Sequence, residues 1–386
     1  MSSLLKDNME TLLQANDMDL RAADQSDLAI YDRLKIDGKK IDGMIQSLIE
    51  TIDQPDPVGQ EKYHYHHPQG MEIYNRTAPF GTILIIYESR PDVTIEAAAL
   101  AFKAGNKILL KGGKEARNSN IFLVELWRKA LVHFGIDPGY IQYLDYSREQ
   151  TMELLQSSEK QVDLVVPRGG DQLIALVKKH SSAPVLVSGR GNNFIYVHAQ
   201  ADPFKAMEII LNSKLHKISV CNAADKILID GNLPDKAQFI EQTIAALQSF
   251  QVEIVGEQAL AEKMEHLNIE IIRDEAIWYE EFLAKKILFA EIEGLEQAIH
   301  KINQYSGHHT AVIITEEDQA ASRFMEEVDA ASVIHNASSR YTDGGQFGLG
   351  AELAISTDKL HHRGPLGLNQ LVTNKWFVYG NGQVRD

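Results

Sequence analysis

The only cysteine among the 386 residues is Cys221, in the stretch NSKLHKISVCNAADKILI at 212–229. It lies between a Ser-Val and an Asn-Ala, just ahead of an apolar, strand-like run. A thiol so placed could attack as a nucleophile once ionised, and a nearby cation or helix N-terminus favours the ionised form. Lys214, His216 and Lys217 lie immediately upstream and could supply that charge. The structural alternative is a small buried hydrophobe, the commoner fate of a lone cysteine, beside a solvated basic patch.

Other groups suggest phosphate chemistry. Gly112-Gly113 and Gly169-Gly170 follow apolar runs, where glycine would let backbone approach a phosphate or ribose or would simply make a turn. No GxGxxG with an acidic residue about twenty positions on is present, so the standard dinucleotide fingerprint is absent. The stretch HNASSRYTDGGQFGLG at 335–350 is dense in small polar residues around Arg340. A loop of that length inside a folded domain is often functional. His64, His66, His67 and the pair His361-His362 lack HExxH or Cys/His zinc spacing, so no metal site is expected. There is no GxSxG and no P-loop.

The elements that must position these groups follow from hydrophobic periodicity. Residues 1–52 read as helical, with Leu4, Leu5, Met9, Leu12 and Leu13 and then Ile41, Met44, Ile45, Leu48 and Ile49 at three- and four-residue spacing. DQPDPVG at 53–59 ends that region, and 61–79 reads as an exposed strand or hairpin. From GTILIIYESRP at 81–91 onward, short apolar runs alternate with helical segments at 92–103, 118–134, 147–159 and 171–180. Asp92 is the expected N-cap of the first of these helices. The alternation resumes after 199, with helices at 202–215, 234–249, 294–305 and 316–328. Such alternation predicts a doubly wound, mostly parallel α/β architecture. Ligands of such sheets bind beyond the carboxyl ends of strands, and YESRP, KGGK and PRGG are loops of that kind.

Composition narrows the class. Length predicts roughly two or three domains, and 44% hydrophobic with 24% charged residues is ordinary for a globular chain. A net charge of −16 argues against a nucleic-acid surface or a polybasic membrane patch. The N-terminus has no signal-peptide pattern and no apolar run is long enough to span a bilayer, so a cytoplasmic protein is expected. One cysteine excludes an intramolecular disulfide.

KGGKEARNSN, VVPRGGDQL, NSKLHKISVCNAADKILI, SSRYTDGGQFGLGAELAISTDKLHHRGPLGL and the closing TNKW, in that order and spacing, resemble the γ-glutamyl phosphate reductase family of the aldehyde dehydrogenase superfamily. The resemblance runs from about Asp56 to the C-terminus, and TDGGQFGLGAE followed by LHHRGPLGL is its most specific part. It implies an aldehyde dehydrogenase-like fold of two doubly wound α/β domains plus a small β oligomerisation segment. An NADP-binding domain would occupy 1–60 and 80–192, a catalytic domain 193–373, and the oligomerisation segment 61–79 with 374–386. It also implies a chain that starts later than is usual for the family.

The implied reaction is NADPH-dependent reduction of L-glutamyl 5-phosphate to L-glutamate 5-semialdehyde and phosphate, the second step of proline biosynthesis from glutamate. Cys221 would be the nucleophile, forming a thioacyl enzyme that hydride from NADPH converts to a thiohemiacetal. Oxyanion donors would be the Cys221 backbone N–H with a neighbouring side chain; Asn222 and Ser89 are the candidates, with Arg90 as an alternative to Ser89. Lys111 would contact the adenosine ribose beside Gly112 and Gly113, with Gly169 and Gly170 completing the cofactor loops. Lys114 stands where NAD-preferring members carry a glutamate, which favours a 2′-phosphate. Glu281 would hold the nicotinamide ribose. Arg90, Arg168, Arg340 and Arg363 are candidates for the substrate phosphate or α-carboxylate. The stretch Ser188-Gly189-Arg190-Gly191 has no carboxylate where hydrolytic members place a general base, so the thioacyl group would be protected from water.

The segment Leu215-His216-Lys217-Ile218 replaces the more usual Thr-Gln-Arg-Pro, and Asp225 replaces a glutamate. A homo-oligomer (dimer or tetramer) is implied, and contact with glutamate 5-kinase, which makes the labile acyl phosphate, is conceivable. The competing readings are another NAD(P)-dependent aldehyde dehydrogenase and a catalytically silent partner of that kinase.

Overall fold

The short apolar runs are strands, and those of the two main sheets are all parallel. The computed structural model describes residues 1–24, 28–157, 162–359 and 362–385. The chain forms two units. The first comprises Met1–Ser188, Gly348–Ala354 and Leu366–Asp386; the second comprises Gly189–Phe347 and Ile355–Pro365.

In the first unit the exposed strand or hairpin read at 61–79 is strands β1 (Glu61–His66) and β2 (Glu72–Pro79). They pair antiparallel, and the C-terminal strand Val372–Tyr379 adds to the other edge of β2. Strands β3 (Thr82–Tyr87), β4 (Lys107–Lys111), β5 (Ile141–Tyr143) and β6 (Leu164–Arg168) form a separate parallel sheet in the order β5-β4-β3-β6. Successive side chains point to opposite faces. Ile83, Ile85, Ile108, Leu110 and Val166 therefore enter one core with the N-terminal helices, whereas Leu84, Ile86 and Val165 enter a second with Leu155 and Val177.

The N-terminal region is helical over Ser2–Asp7, Met9–Ala22, Leu28–Leu34 and Gly38–Asp53; residues 25–27 lie outside the described residues. Buried Asp19 anchors it. Its carboxylate accepts from the backbone N–H groups of Asn118 and Ser119 and from both their side chains, at 2.7 to 3.0 Å. This satisfies the open start of the helix Arg117–His133 from outside that helix. Lys103 closes the opposite kind of end, donating to the carbonyls of Thr51, Ile52 and Gln54 where the helix Gly38–Asp53 runs out.

Asp92 is not the N-cap of its helix. The helix Asp92–Lys103 has Pro91 at that position and no side-chain cap; Asp92 is its first residue, 3.7 Å from the Lys40 amine. The helix expected over 147–159 runs Arg148–Gln156, started by a reciprocal Ser147–Gln150 capping box, and 158–159 lie outside the described residues.

The second unit holds β7 (Asn193–Val197), β8 (Ala224–Asp230), β9 (Glu253–Gly256), β10 (Ile269–Ile271), β11 (Lys286–Ile292), β12 (Thr310–Ile314) and β13 (Ser332–His335). They form one parallel sheet in the order β10-β9-β11-β8-β7-β12-β13. Ile195, Ile227, Phe289 and Val312 face one core, and Phe194, Leu228, Leu288 and Ile313 the other. Burial on both faces explains why these strands read as continuous apolar runs rather than alternating ones.

Candidate active site

In the first unit the loops after β3, β4 and β6 follow the carboxyl ends of three neighbouring parallel strands. Lys111 ends β4, and its half-buried amine donates to the Gly112 carbonyl at 2.8 Å. Burial pulls that amine's pKa down, against the pull of Asp145 and Glu115. Gly112 has no room for a side chain: a Cβ would overlap the Asn120 amide and sit 3.2 Å from the Tyr87 ring. Lys114 is exposed. Ser89 is buried and committed, both its N–H and its hydroxyl donating to Glu115 Oε1 at 3.0 and 2.6 Å.

After β6, the Gly170 N–H donates at 3.2 Å to Glu88, whose carboxylate also lies where a Cβ on Gly169 would be. Gly170 is the N-cap of the helix Asp171–His180. Arg168 is desolvated, which lowers its pKa, and Glu96 opposes that shift. Its Nη1 is buried with no hydrogen-bond partner. Glu96 in turn is pushed up to about 7 by burial and by Asp92, against Arg168, Arg90 and Lys40. The Glu88 carboxylate thus already occupies the helix start that Gly169 and Gly170 open.

In the second unit the functional loops sit at the other end of the strands. Residues 189–192 precede β7, Cys221 precedes β8, Glu281 precedes β11 and His309 precedes β12, all at the amino ends of neighbouring parallel strands. Asn193 ties the cysteine loop to the start of β12. Its side-chain amide donates to the carbonyls of Cys221 and Ala223, both at 2.7 Å, and its Oδ1 accepts from the Thr310 N–H at 3.0 Å. Cys221 itself is partly buried.

Asn222 does not point its amide outward. Its Nδ2 donates to the Thr342 carbonyl at 2.8 Å and its own carbonyl accepts from the Ser339 hydroxyl at 2.7 Å. It therefore ties the 338–342 turn to the cysteine loop. Ser213, Ser338, Thr310 and Thr342 extend this buried network. The turn delivers Arg340, whose Nε donates to His216 Nδ1 at 3.4 Å. Burial lowers the Arg340 pKa, while Asp343 and Cys221 favour its charged form. The same attraction, seen from sulfur, favours a thiolate.

Lys214 does not supply that charge to solvent or thiol. It is fully buried and bonded to Asp225 at 3.1 Å. Glu281 accepts from the Gly191 N–H at 2.9 Å, and a Cβ on Gly191 would fall on both the Glu281 carboxylate and the Cys221 carbonyl oxygen. Cys221, Asn222, Arg340 and Glu281 thus gather around one strand end. Arg363 joins a different cluster, bonded to Asp329 at 2.6 Å alongside Lys359. Burial alone would raise the Asp329 pKa, but these two cations hold it down at about 2. His64 and His66 share Glu72 on the antiparallel sheet, and His361 lies outside the described residues. Asn193 and Lys226 were not singled out from the sequence. An Asn at the head of an apolar strand is the one signal that could have flagged the first.

The aldehyde dehydrogenase family profile matches residues 7–261. The γ-glutamyl phosphate reductase of Clostridium acetobutylicum is 39% identical over the whole of this chain and 91% of its own length. The chain belongs to the γ-glutamyl phosphate reductase family. The enzyme of that name from Enterococcus faecalis is also 39% identical, with 92% of its length covered. A crystal structure of the Thermotoga maritima γ-glutamyl phosphate reductase superposes with a TM-score of 0.93 at 36% identity, covering 100% of this chain and 92% of that one. An acetylating aldehyde dehydrogenase from Geobacillus thermoglucosidasius shares the fold at 17% identity and a TM-score of 0.68, covering 100% of this chain and 93% of that one. The fold is therefore aldehyde dehydrogenase-like, and a nicotinamide cofactor belongs to the family's chemistry. No described helix is long and apolar enough to cross a membrane.

Next to this network His309 is fully buried, and burial lowers its pKa to about 4. Unfolded, it would titrate near 6.5. The unfolded chain therefore takes up a proton that the folded chain refuses, and stability falls as pH drops from about 6.5 toward 4. Between about pH 7.5 and 5 this one group should cost on the order of 2 kcal/mol. Denaturant titrations at the two pH values should show His309→Gln losing that much less than the native chain. Equal losses would contradict the assignment.

Proposed function

We propose that this chain reduces L-glutamyl 5-phosphate to L-glutamate 5-semialdehyde and phosphate with NADPH, through a thioacyl group on Cys221. The observation that carries the reading is the single thiol at the head of β8, on a loop whose main-chain carbonyls Asn193 holds, coupled to the Arg340 cation. The Cys221 sulfur attacks the acyl carbon, the C–O bond to phosphate breaks, and phosphate leaves with the electron pair. Arg340 stabilises the thiolate before attack and suits the departing phosphate, which Arg matches in geometry. With the Asn222 amide occupied by the Thr342 carbonyl, the Cys221 backbone N–H is the better oxyanion donor.

The cofactor supplies hydride when bound. Lys111, Lys114 and the glycine pairs are proposed for its adenosine half, and Glu281 for its nicotinamide ribose. An exposed lysine at 114, where a carboxylate would repel a 2′-phosphate, supports NADP over NAD. The absence of a carboxylate at 188–191 supports a thioester that waits for phosphate or reductant rather than water.

In the reverse direction, oxidation of glutamate semialdehyde should need both NADP⁺ and phosphate, and Cys221→Ser should lower it by at least about a thousandfold. Sustained turnover without phosphate, or a Ser variant that retains activity, would overturn the reading. Lys114→Glu should shift the NADPH-to-NADH preference toward NADH by about tenfold or more, corresponding to at least ~1.4 kcal/mol. An unchanged ratio would remove Lys114 from the site.

Self-association is the role proposed for the three-stranded sheet. Tyr63, Tyr65, Trp376 and Val378 are 41 to 57% exposed on one face of it, a contiguous apolar surface that a second copy of the chain would cover. Sedimentation at micromolar concentration should give an oligomer for the native chain and a smaller species for Trp376→Glu. Identical masses would rule the sheet out as the interface.

A further inference from the structure

We propose that Lys226 and Asp225 are positioning residues that fix Glu281, and through it the nicotinamide half of the cofactor. This rests on the reading of Glu281 given above. The two residues grip the chain on either side of Glu281. Lys226 Nζ donates to the Glu280 carbonyl at 2.6 Å, and the Phe282 N–H donates to Asp225 Oδ2 at 3.4 Å. Lys226 Nζ also lies 3.8 Å from the centre of the Phe282 ring. The Glu281 carboxylate, between these two anchored neighbours, is then presented to the Gly191 N–H beside the Cys221 carbonyl.

Adjacent residues of a regular strand point to opposite faces and could not both hold one segment. Here the β7–β8 register slips: Asn193 pairs with Ala224 but Phe194 with Lys226, which leaves Asp225 as the extra residue. The bulge lets consecutive side chains of β8 reach residues 280 and 282. It sits directly opposite Asn193, which holds the cysteine loop. One irregularity thus fixes both the nucleophile and the cofactor carboxylate.

Lys226 is 0% exposed, as is Lys214, which bonds the other oxygen of Asp225 at 3.1 Å. Burial drives the Lys226 pKa down to about 7 against the pull of Asp225 and Glu280. A buried amine in this position is costly, and packing alone would be served as well by a methionine. Its donor, aimed at a backbone carbonyl next to Glu281, is what a methionine lacks.

The test is a double-mutant cycle on the full-length chain with Lys226→Met and Glu281→Gln. Each single variant should raise the KM for NADPH about tenfold with little change in kcat, and the double variant should be no worse than either single. A folded Lys226→Met with unchanged NADPH KM would overturn the proposal, as would effects that multiply in the double variant. An unchanged KM in Glu281→Gln would do the same by removing the residue being positioned. If Lys226→Met does not fold, Asp225→Asn, which weakens the other anchor, takes its place in the cycle with the same expectations. Loss of Cys221-dependent turnover is read separately in Cys221→Ser, so failure of the reaction assignment and failure of this proposal are distinguishable.

Discussion

The chemistry of the second unit depends on one amide. Asn193 begins β7, and its side chain spends both donors on the loop that carries Cys221 and its acceptor on the start of β12. A parallel sheet aligns strands through its ladder, but at the amino ends the incoming loops have no ladder to join. Their backbone polar groups still need partners, since burial without them is expensive. Asn193 supplies three of those partners at once. Replacing it with an apolar residue would leave the Cys221 and Ala223 carbonyls and the Thr310 N–H to find others.

From that clamp outward the site is a set of buried polar bonds rather than a greasy pocket. Asn222, Ser213, Ser338, Ser339, Thr310 and Thr342 close a network that brings the 338–342 turn, and with it Arg340, to the thiol loop. Its low-dielectric setting strengthens the charges it holds, although the Asn222 Oδ1 is buried without a partner. The first unit uses a different device. Its loops follow carboxyl ends, where close approach is secured by glycines whose missing Cβ atoms leave space that Asn120 and Glu88 occupy.

The architecture was legible because its period is simple. Helices at 92–103, 171–180 and 294–305 fall where the apolar spacing puts them. The polar, aromatic stretch at 61–79 was legible as an exposed strand or hairpin, and it is a hairpin. Cys221 was legible as a candidate because it is unique. The direction of approach was not: strand-end loops suggest carboxyl ends, and the thiol lies at an amino end. Lys214 reads as a free cation by composition but is a buried partner of Asp225, a distinction made only by tertiary packing. Asn222 reads as an oxyanion donor by adjacency, yet its amide is taken by a carbonyl 120 residues away. Nor does the apolar pattern after 199 announce that 348–354 and the C-terminal strand pack with the first unit. Long-range polar bonds leave little trace in local sequence.

The central claim is that Cys221 carries the acyl group and shields it from water. Mixing the enzyme with glutamate semialdehyde and NADP⁺ in phosphate-free buffer, followed by rapid acid quench, tests it most directly. A burst of about one NADPH per chain should appear, followed by an arrest that phosphate relieves, with the glutamyl mass on the peptide containing Cys221. Steady NADPH production without phosphate, or a glutamyl adduct on any other residue, would contradict it.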